Sequence, residues 1–260
     1  MKLERRYVEK PWGRDRLPPM FDAPQGARIG EVWFTNGGDL PLLAKYIFTS
    51  ERLSIQVHPN DDEARGRGLR EGKSECWYIL DAVPGARLGL GLKRQLSSEE
   101  LRTAALDGSL EDLMDWKPVA SGDFVFVPSG TVHAIGAGIS LLEFQQNSDV
   151  TYRLYDYGRP RELHLDDGVA VSHAEPFPDD LVQHLAGVDE RLLVDGPHFK
   201  LVLSRSDALE GQRRWVLPLD GEVSSGPNLA CPGDCLLVEA HGAIESDGGR
   251  MLIGATARRS

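Results

Sequence analysis

The sequence predicts an all-β protein of two β-barrel-like domains, over residues 1–167 and 168–260, with a short helical insertion near 97–116. Three observations carry this. Apolar runs are short, rich in β-branched and aromatic residues, and bounded by Gly, Pro, Asn or Asp. Helical periodicity of any length occurs once. Pro and Gly punctuate the chain where sheets need turns, most clearly in residues 122–133, GDFVFVPSGTVH. Phe124, Val125, Phe126 and Val127 read there as a strand buried on both faces. Pro128 has no N–H to give a ladder and Gly130 tolerates positive φ, so the chain turns and re-enters a strand at Thr131, Val132 and His133. His133 is thereby held just inside the second strand.

Taken in order, residues 1–40 read as irregular, with Lys10-Pro11-Trp12-Gly13 and Arg16-Leu17-Pro18-Pro19 as loop punctuation and one strand at 29–34. Trp12 reads as a structural plug. Strands follow at 42–48 and 53–58; in the second, alternation puts Ser54, Gln56 and His58 on one face and Leu53, Ile55 and Val57 on the other. Three polar side chains on one strand face line solvent or a polar cavity. Residues 60–70 read as a loop or short helix. A strand over 76–80, extended back to Lys73, places Lys73 and Glu75 on one face. Leu88, Leu90 and Leu92 follow a Pro84-Gly85 turn.

The helical insertion starts with Ser97 or Ser98 as cap and Glu99 and Glu100 in its first turn, and Leu101, Ala104 and Ala105 repeat at helical spacing. Asp107-Gly108 breaks it, and Leu110, Leu113 and Met114 suggest a second short helix. Beyond His133 come strands at 139–145, with Leu141, Glu143 and Gln145 on one face, and at 150–157, carrying Arg153. Residues 176–180 read as a linker. Strands resume at 199–204, 214–219, 235–239 and 251–255 in a second, degenerate barrel with a structural role.

Composition narrows the function. With 40 acidic against 29 basic residues and a formal charge of −11, the chain is a poor partner for nucleic acid or an anionic membrane. A few Lys and Arg focused in one cleft still accommodate an anionic small molecule. The N-terminal MKLERRYVEKPWG has no apolar core of a leader, and no run reaches a membrane span, so a soluble, cytoplasmic protein is expected. The 3 cysteines, Cys76, Cys231 and Cys235, form no C-x2-C pair and read as reduced thiols.

Gln56 and His58, Glu75 and His133 together offer two imidazoles, a carboxylate and an amide oxygen, a shell suited to a divalent metal. Zinc is favoured, with manganese, iron and cobalt open. Taken singly each histidine reads as structural, and spacing alone does not establish the set. His164, His173, His184, His198 and His241 keep that structural reading.

The pattern G-x5-P-x-G-x2-H at Gly122, Pro128, Gly130 and His133 resembles a signature of the cupin β-barrels, in which the histidine is a metal ligand. The runs 53–59 (LSIQVHP), 72–75 (GKSE), 127–134 (VPSGTVHA), 143–149 (EFQQNSD) and 151–159 (TYRLYDYGR), with Trp12-Gly13 and Ile29-Gly30-Glu31, resemble those of the type I mannose-6-phosphate isomerases, over about residues 10–167. The resemblance implies two cupin, or jelly-roll β-barrel, domains. It implies one zinc held by Gln56, His58, Glu75 and His133, and interconversion of mannose 6-phosphate with fructose 6-phosphate. It also implies a sugar site lined by Lys73, Glu143 and Arg153, with Lys45, Ser54 and Arg159 on the phosphate. Gln56 stands where the general cupin motif has the first histidine of a His-x-His pair, as it does in this family. Arg159 stands where other members carry lysine, and the C-terminal half matches weakly.

Aldose–ketose isomerisation moves a proton between C2 and C1 and stabilises charge on the neighbouring oxygens, for which a metal and a nearby cation suffice. Glu143, raised by burial, or Lys73, lowered by cations, serves as base, and the sequence leaves that choice open. Lys73 simply paired with Glu143 or Asp149 is the bland alternative. Two other functions stay open: a sugar-phosphate-binding cupin without turnover, and an iron cupin dioxygenase, which would leave Lys73, Arg153 and Arg159 without an anion to hold.

Overall fold

A computed structural model of the chain describes residues 1–257. The first eight strands are β1 (Glu4–Arg14), β2 (Ile29–Thr35), β3 (Leu42–Phe48), β4 (Ile55–Val57), β5 (Glu75–Ala82), β6 (Arg87–Leu92), β7 (Met114–Pro118) and β8 (Asp123–Val127). Then come β9 (His133–Ile135), β10 (Ile139–Gln146), β11 (Tyr152–Tyr155) and β12 (Val182–His184). The remaining strands are β13 (Arg191–Asp195), β14 (Phe199–Ser204), β15 (Arg214–Pro218), β16 (Val223–Ser225), β17 (Asn228–Ala230), β18 (Leu236–Val238), β19 (Glu245–Ser246) and β20 (Met251–Thr256). Four short helices are interspersed: α1 (Asp61–Gly66), α2 (Ser98–Asp107), α3 (Leu110–Leu113) and α4 (Leu165–Val171).

The expected all-β, cupin-like sandwich is present. A seven-stranded sheet in the order β1-β2-β3-β10-β5-β8-β12 faces a five-stranded sheet in the order β11-β4-β9-β6-β7. Trp77, Ile79, Val125, Val127 and Leu141 from the first meet Leu88, Leu90 and Ile135 from the second, closing an apolar core at one end. The outer face of the five-stranded sheet, through Ile55, Val57, Val132 and Leu154, is covered by Leu101, Ala104 and Ala105 of α2 and Val169 and Val171 of α4. The outer face of the seven-stranded sheet, through Phe34, Ala44, Tyr46, Leu142 and Phe144, is covered by Phe199, Leu201, Trp215 and Leu252 of a second five-stranded sheet, β13-β14-β20-β15-β18. A three-stranded sheet, β17-β16-β19, closes the stack. Covered on both sides, β3 and β10 are buried at every residue. That is why β3 reads as a nearly unbroken apolar run, and why Lys45 in it and Glu143 in β10 stand out.

The structure departs from expectation in several elements. Residues 4–14 are not irregular: they form an edge strand paired with β2, with a register shift between Glu9 and Arg14 that takes up Pro11 and Trp12. Pro is tolerated at an edge and at a bulge, where no ladder N–H is needed. The second short helix ends at Leu113, and Met114 and Trp116 belong to β7, paired with β6. Helix α2 has the expected start, Ser97 and Glu100 forming a reciprocal capping box. Helix α4 was not foreseen; its seven residues include Gly168 and two valines, which carry no helical signal by propensity. The strand after Lys73 begins only at Glu75. Residues 176–180 are not a free linker: Pro176 bridges Gly91 and Phe177 is buried in the core. Among the described residues no helix is long and apolar enough to cross a membrane.

Candidate metal centre and active-site cavity

The turn at 128–130 behaves as its residues dictate. Gly130 has φ 86°, and its N–H donates to the His58 carbonyl at 2.8 Å, drawing the two histidine-bearing segments together. Strand β9 pairs with β4 so that His133 stands directly opposite Gln56. Glu75 opens β5 opposite Gln145 and Val127, on the inner face that also carries Glu143 opposite Trp77 and Lys45. Lys73 reaches the same place from a loop, its N–H donating to the Pro59 carbonyl at 3.0 Å.

His58, Glu75 and His133 converge, all buried, with one ligand atom from each within 4.8 Å of the others. The His58 Nδ1–H donates to the Val150 carbonyl at 2.7 Å and the His133 Nδ1–H to the Thr131 carbonyl at 2.9 Å. With those tautomers both Nε2 lone pairs point at Glu75, at 3.5 Å from Oε2 for His58 and 3.3 Å from Oε1 for His133. Three acceptors facing one another cannot hydrogen-bond among themselves. Burial, with Lys73 adding to it at His58, pushes His58 well below the usual imidazole range, and burial brings His133 down to about 4. Both rings are therefore neutral at pH 7. Burial tends to raise Glu75, yet Lys73, a hydrogen bond with Glu143 and Lys45 together hold it below the usual carboxylate range. Glu75 Oε2 lies 2.7 Å from Lys73 Nζ but off the direction a hydrogen bond requires, and it is left without one. Neutral imidazoles fixed from behind by carbonyls, beside an ionised carboxylate, fit a borderline metal such as zinc. Gln56 adjoins them, its amide Nε2 3.2 Å from His133 Nε2 and its Oε1 accepting from Ser54 Oγ at 3.2 Å. Half a turn of that amide brings its oxygen to the cluster without changing its shape.

A cavity of about 190 Å³ opens beside this cluster. Its wall carries a row of alternating charge, buried except at Lys10. Lys73 Nζ lies 3.0 Å from His58 Nε2 and 3.6 Å from Glu143 Oε1, Lys45 Nζ lies 3.1 Å from Glu143 Oε2 and 3.9 Å from Glu31, and Lys10 Nζ lies 3.3 Å from Glu31. Burial, then the neighbouring Glu75, pushes the Glu143 carboxyl up to about 7, against the pull of Lys45 and Lys73. Lys45 is raised despite burial, by Glu143 and Glu31.

Of the residues singled out from sequence, Lys45, Ser54, Gln56, Lys73, Glu75, Glu143 and Arg153 line this cavity, with His58 and His133 behind Glu75. Arg159 does not. Tyr157, at φ 54°, and Gly158 turn the chain, and the Arg159 guanidinium goes to Asp156 at 2.9 Å, Glu51 at 3.3 Å and the Arg52 carbonyl at 2.6 Å, away from the wall. Arg161 lines the cavity in its place. Two of its donors are fixed on Asp156, at 2.5 and 2.7 Å, while Arg153 donates to the Glu162 carbonyl at 2.6 Å and keeps a buried Nε with no partner. Burial and the neighbouring Arg161 lower Arg153 from its ordinary value, the mark of two cations facing one space. Lys10, Trp12, Glu31, Asp149, Thr151 and Arg161 also line the wall and had not been assigned to the site. The Arg-Pro-Arg order at 159–161 holds both arginines; only the preceding left-handed turn decides which one faces inward. Lys10 carried no signal beyond a charge beside Pro11, and Glu31 appeared only as part of the Ile29-Gly30-Glu31 resemblance, without a role.

No family model matches the chain. It is 41% identical over 214 residues to the mannose-6-phosphate isomerase ManA of Bacillus subtilis (strain 168), covering 74% of this chain and 68% of that protein. It is 41% identical over 169 residues to the mannose-6-phosphate isomerase of Streptococcus mutans, covering 61% of this chain and only about half, 52%, of that protein. The crystal structure of the mannose 6-phosphate isomerase from Bacillus subtilis superposes with a TM-score of 0.77 at 27% identity, covering 97% of this chain and 98% of that one. A mannose 6-phosphate isomerase bound with zinc and yttrium shares the fold, with a TM-score of 0.72 at 16% identity over 99% of each chain.

Proposed function

The chain belongs to the mannose-6-phosphate isomerase family, and on that premise we propose that it interconverts mannose 6-phosphate and fructose 6-phosphate with one zinc ion per chain. One observation carries the reading: two neutral imidazoles and an ionised carboxylate aim their lone pairs at one point on the wall of a cation-lined cavity. His58, Glu75 and His133 hold the zinc, with Gln56 joining through its amide oxygen. When bound, the ion supplies Lewis-acid stabilisation of charge on the sugar oxygens.

The protein's own groups do the rest. Glu143 takes the proton from one carbon and returns it to the next; a buried carboxyl raised to about 7 suits a group that must both accept and release a proton. Lys73, fixed between His58, Glu75 and Glu143, donates to the sugar oxygen that gains charge as the proton leaves. Lys45 and Glu31 keep Glu143 in place from behind. Arg153, with its unpartnered Nε, and Arg161 hold the phosphate, with Ser54 on the same wall. Arg159 shores up the turn that presents Arg161. An iron dioxygenase would leave Arg153, with its unpartnered Nε, no anion to bind. The substrate is a small sugar phosphate; neither nucleic acid nor membrane is a partner on the charge argument given above.

The test is turnover of mannose 6-phosphate by the purified protein as isolated, after chelation, and after zinc is restored. Loss and recovery are expected. Zinc-loaded protein that binds the sugar phosphate without converting it would make the chain a sensor instead.

A further inference from the structure

Lys73 is not held by a strand: β5 starts two residues later, at Glu75. Its place is nevertheless fixed at every backbone donor around it. The Gly72 N–H donates to Asp61 Oδ1 at 2.9 Å, the Lys73 N–H to the Pro59 carbonyl at 3.0 Å, and the Ser74 N–H to Gln146 Oε1 at 2.9 Å. The two side-chain acceptors are tied together, Gln146 Nε2 donating to the same Asp61 oxygen at 2.9 Å. Gln146 also donates its own N–H to the Ser74 carbonyl at 3.2 Å.

These two residues come from the segments that carry the rest of the site. Asp61 opens α1, three residues after His58, and Gln146 ends β10, three residues after Glu143. The other Asp61 oxygen faces Arg65 at 3.8 Å and His198 Nδ1, from the C-terminal half, at 3.8 Å. We propose that Asp61 and Gln146 are positioning residues: they lock the 72–74 loop so that the Lys73 ammonium stands against His58 and Glu75, and neither touches substrate. The role is that of a hydrogen-bond acceptor pair, since both loop amides meet oxygens whose directions are set by the Asp61–Gln146 bond. The inference rests on the reading of Lys73 as a group that acts on the sugar.

The test compares zinc-loaded wild type with Asp61→Ala, Asp61→Asn and Gln146→Ala. Asparagine keeps an oxygen able to accept from both Gly72 and Gln146, so it should rescue what alanine loses. Expected for Asp61→Ala and Gln146→Ala is a kcat lowered about tenfold or more, with KM within about threefold and full zinc content. Asp61→Asn should stay within about threefold of wild type. Hydrogen exchange at the Gly72 and Ser74 amides should quicken about tenfold or more in Asp61→Ala and stay protected in Asp61→Asn. Asp61→Ala with unchanged exchange overturns the brace, and so does a fall in Tm with kcat per folded molecule unchanged. Asp61→Asn as impaired as alanine overturns the acceptor role in favour of charge. If wild-type protein shows no turnover, the isomerase reading fails by itself, and the exchange comparison still decides whether Asp61 and Gln146 hold the loop.

Discussion

Gly72→Ala probes the same loop by a steric route whose size follows from the structure. A Cβ at position 72 would lie 2.4 Å from the Pro59 carbonyl oxygen, 2.5 Å from the Asn60 carbonyl carbon and 2.8 Å from the Asn60 Cα. All three are backbone atoms, so no side chain can swing aside. Ordinary contact begins near 3.4 Å, so the two segments must part by about 1 Å. That separation breaks the 3.0 Å bond from the Lys73 N–H to the Pro59 carbonyl, worth about 1 kcal/mol. Residual overpacking adds about 1–3 kcal/mol. A total of about 2–4 kcal/mol should lower Tm by roughly 5–10 °C in a chain of this size. The larger effect is on chemistry. Lys73 Nζ sits 2.7 Å from Glu75 and 3.0 Å from His58, and a misplacement of about 1 Å at a catalytic group can cost about a hundredfold. The assay is calorimetry together with kcat and zinc stoichiometry on one preparation. A Gly72→Ala protein with wild-type Tm and kcat would refute the argument that the loop's contact with residues 59–60 sets the lysine.

Three other substitutions separate the roles assigned above. Arg161→Ala should raise KM for the sugar phosphate about tenfold to a hundredfold, the worth of one charge-assisted contact, with kcat little changed; Arg159→Ala should leave KM alone and cost under about 1 kcal/mol in chemical denaturation. The reverse pattern would return Arg159 to the phosphate. Glu75→Gln should leave the protein folded but unable to retain zinc through dialysis, read by elemental analysis; stoichiometric zinc in that variant would remove Glu75 from the ligand set. Glu31→Gln should destabilise by roughly 2–3 kcal/mol at pH 7, because buried Lys45 and half-buried Lys10 lose a carboxylate. Burial tends to raise Glu31, but Lys45, Lys10 and a bond from Trp33 hold it below its ordinary value. Its contribution is therefore full above the unfolded carboxylate range and fades as pH falls through the lowered value, so the stability gap between wild type and Glu31→Gln should narrow on acidification. A gap independent of pH in urea melts would contradict this.

What the sequence made legible was what local chemistry decides. The turn at 128–130, the helix start at Ser97 or Ser98, and the alternation that sets Ser54, Gln56 and His58 against Ile55 and Val57 depend on neighbours a few residues apart. Each appears as read. Glu143 was assigned through the family resemblance; its strand is buried on both faces, where a carboxylate has no place unless something meets it. Elements fixed by distant partners were not legible. Residues 4–14 become a strand because β2 offers an edge, and α4 is helical because Val169 and Val171 are buried with Leu154 against the outer face of the five-stranded sheet. Arg159 and Arg161 flank the same proline, and a left-handed turn at Tyr157 decides how each is aimed. The alternation that linked Lys73 to Glu75 came to the right neighbourhood by the wrong geometry, since a braced loop and not a strand carries the lysine.

The charges of the cavity show why a chain with a formal charge of −11 can hold a sugar phosphate. At the inner end the carboxyl groups of Glu31, Glu75 and Glu143 face the ammonium groups of Lys10, Lys45 and Lys73, while His58 and His133 are neutral. At the outer end Asp156 offsets Arg161, and Asp149 shares the wall with Arg153. A site so balanced has little attraction for a dianion by itself. A divalent cation at Glu75 would tip the whole cavity positive, and the field of a low-dielectric cleft acts far more strongly on a ligand inside it than the surface charge outside. Binding of metal and of sugar phosphate should then be mutually favourable, each raising the affinity for the other by the same factor. Titrating zinc into the protein with and without fructose 6-phosphate measures that factor, and equal zinc affinity in both titrations would show that the two charges do not meet in one cavity.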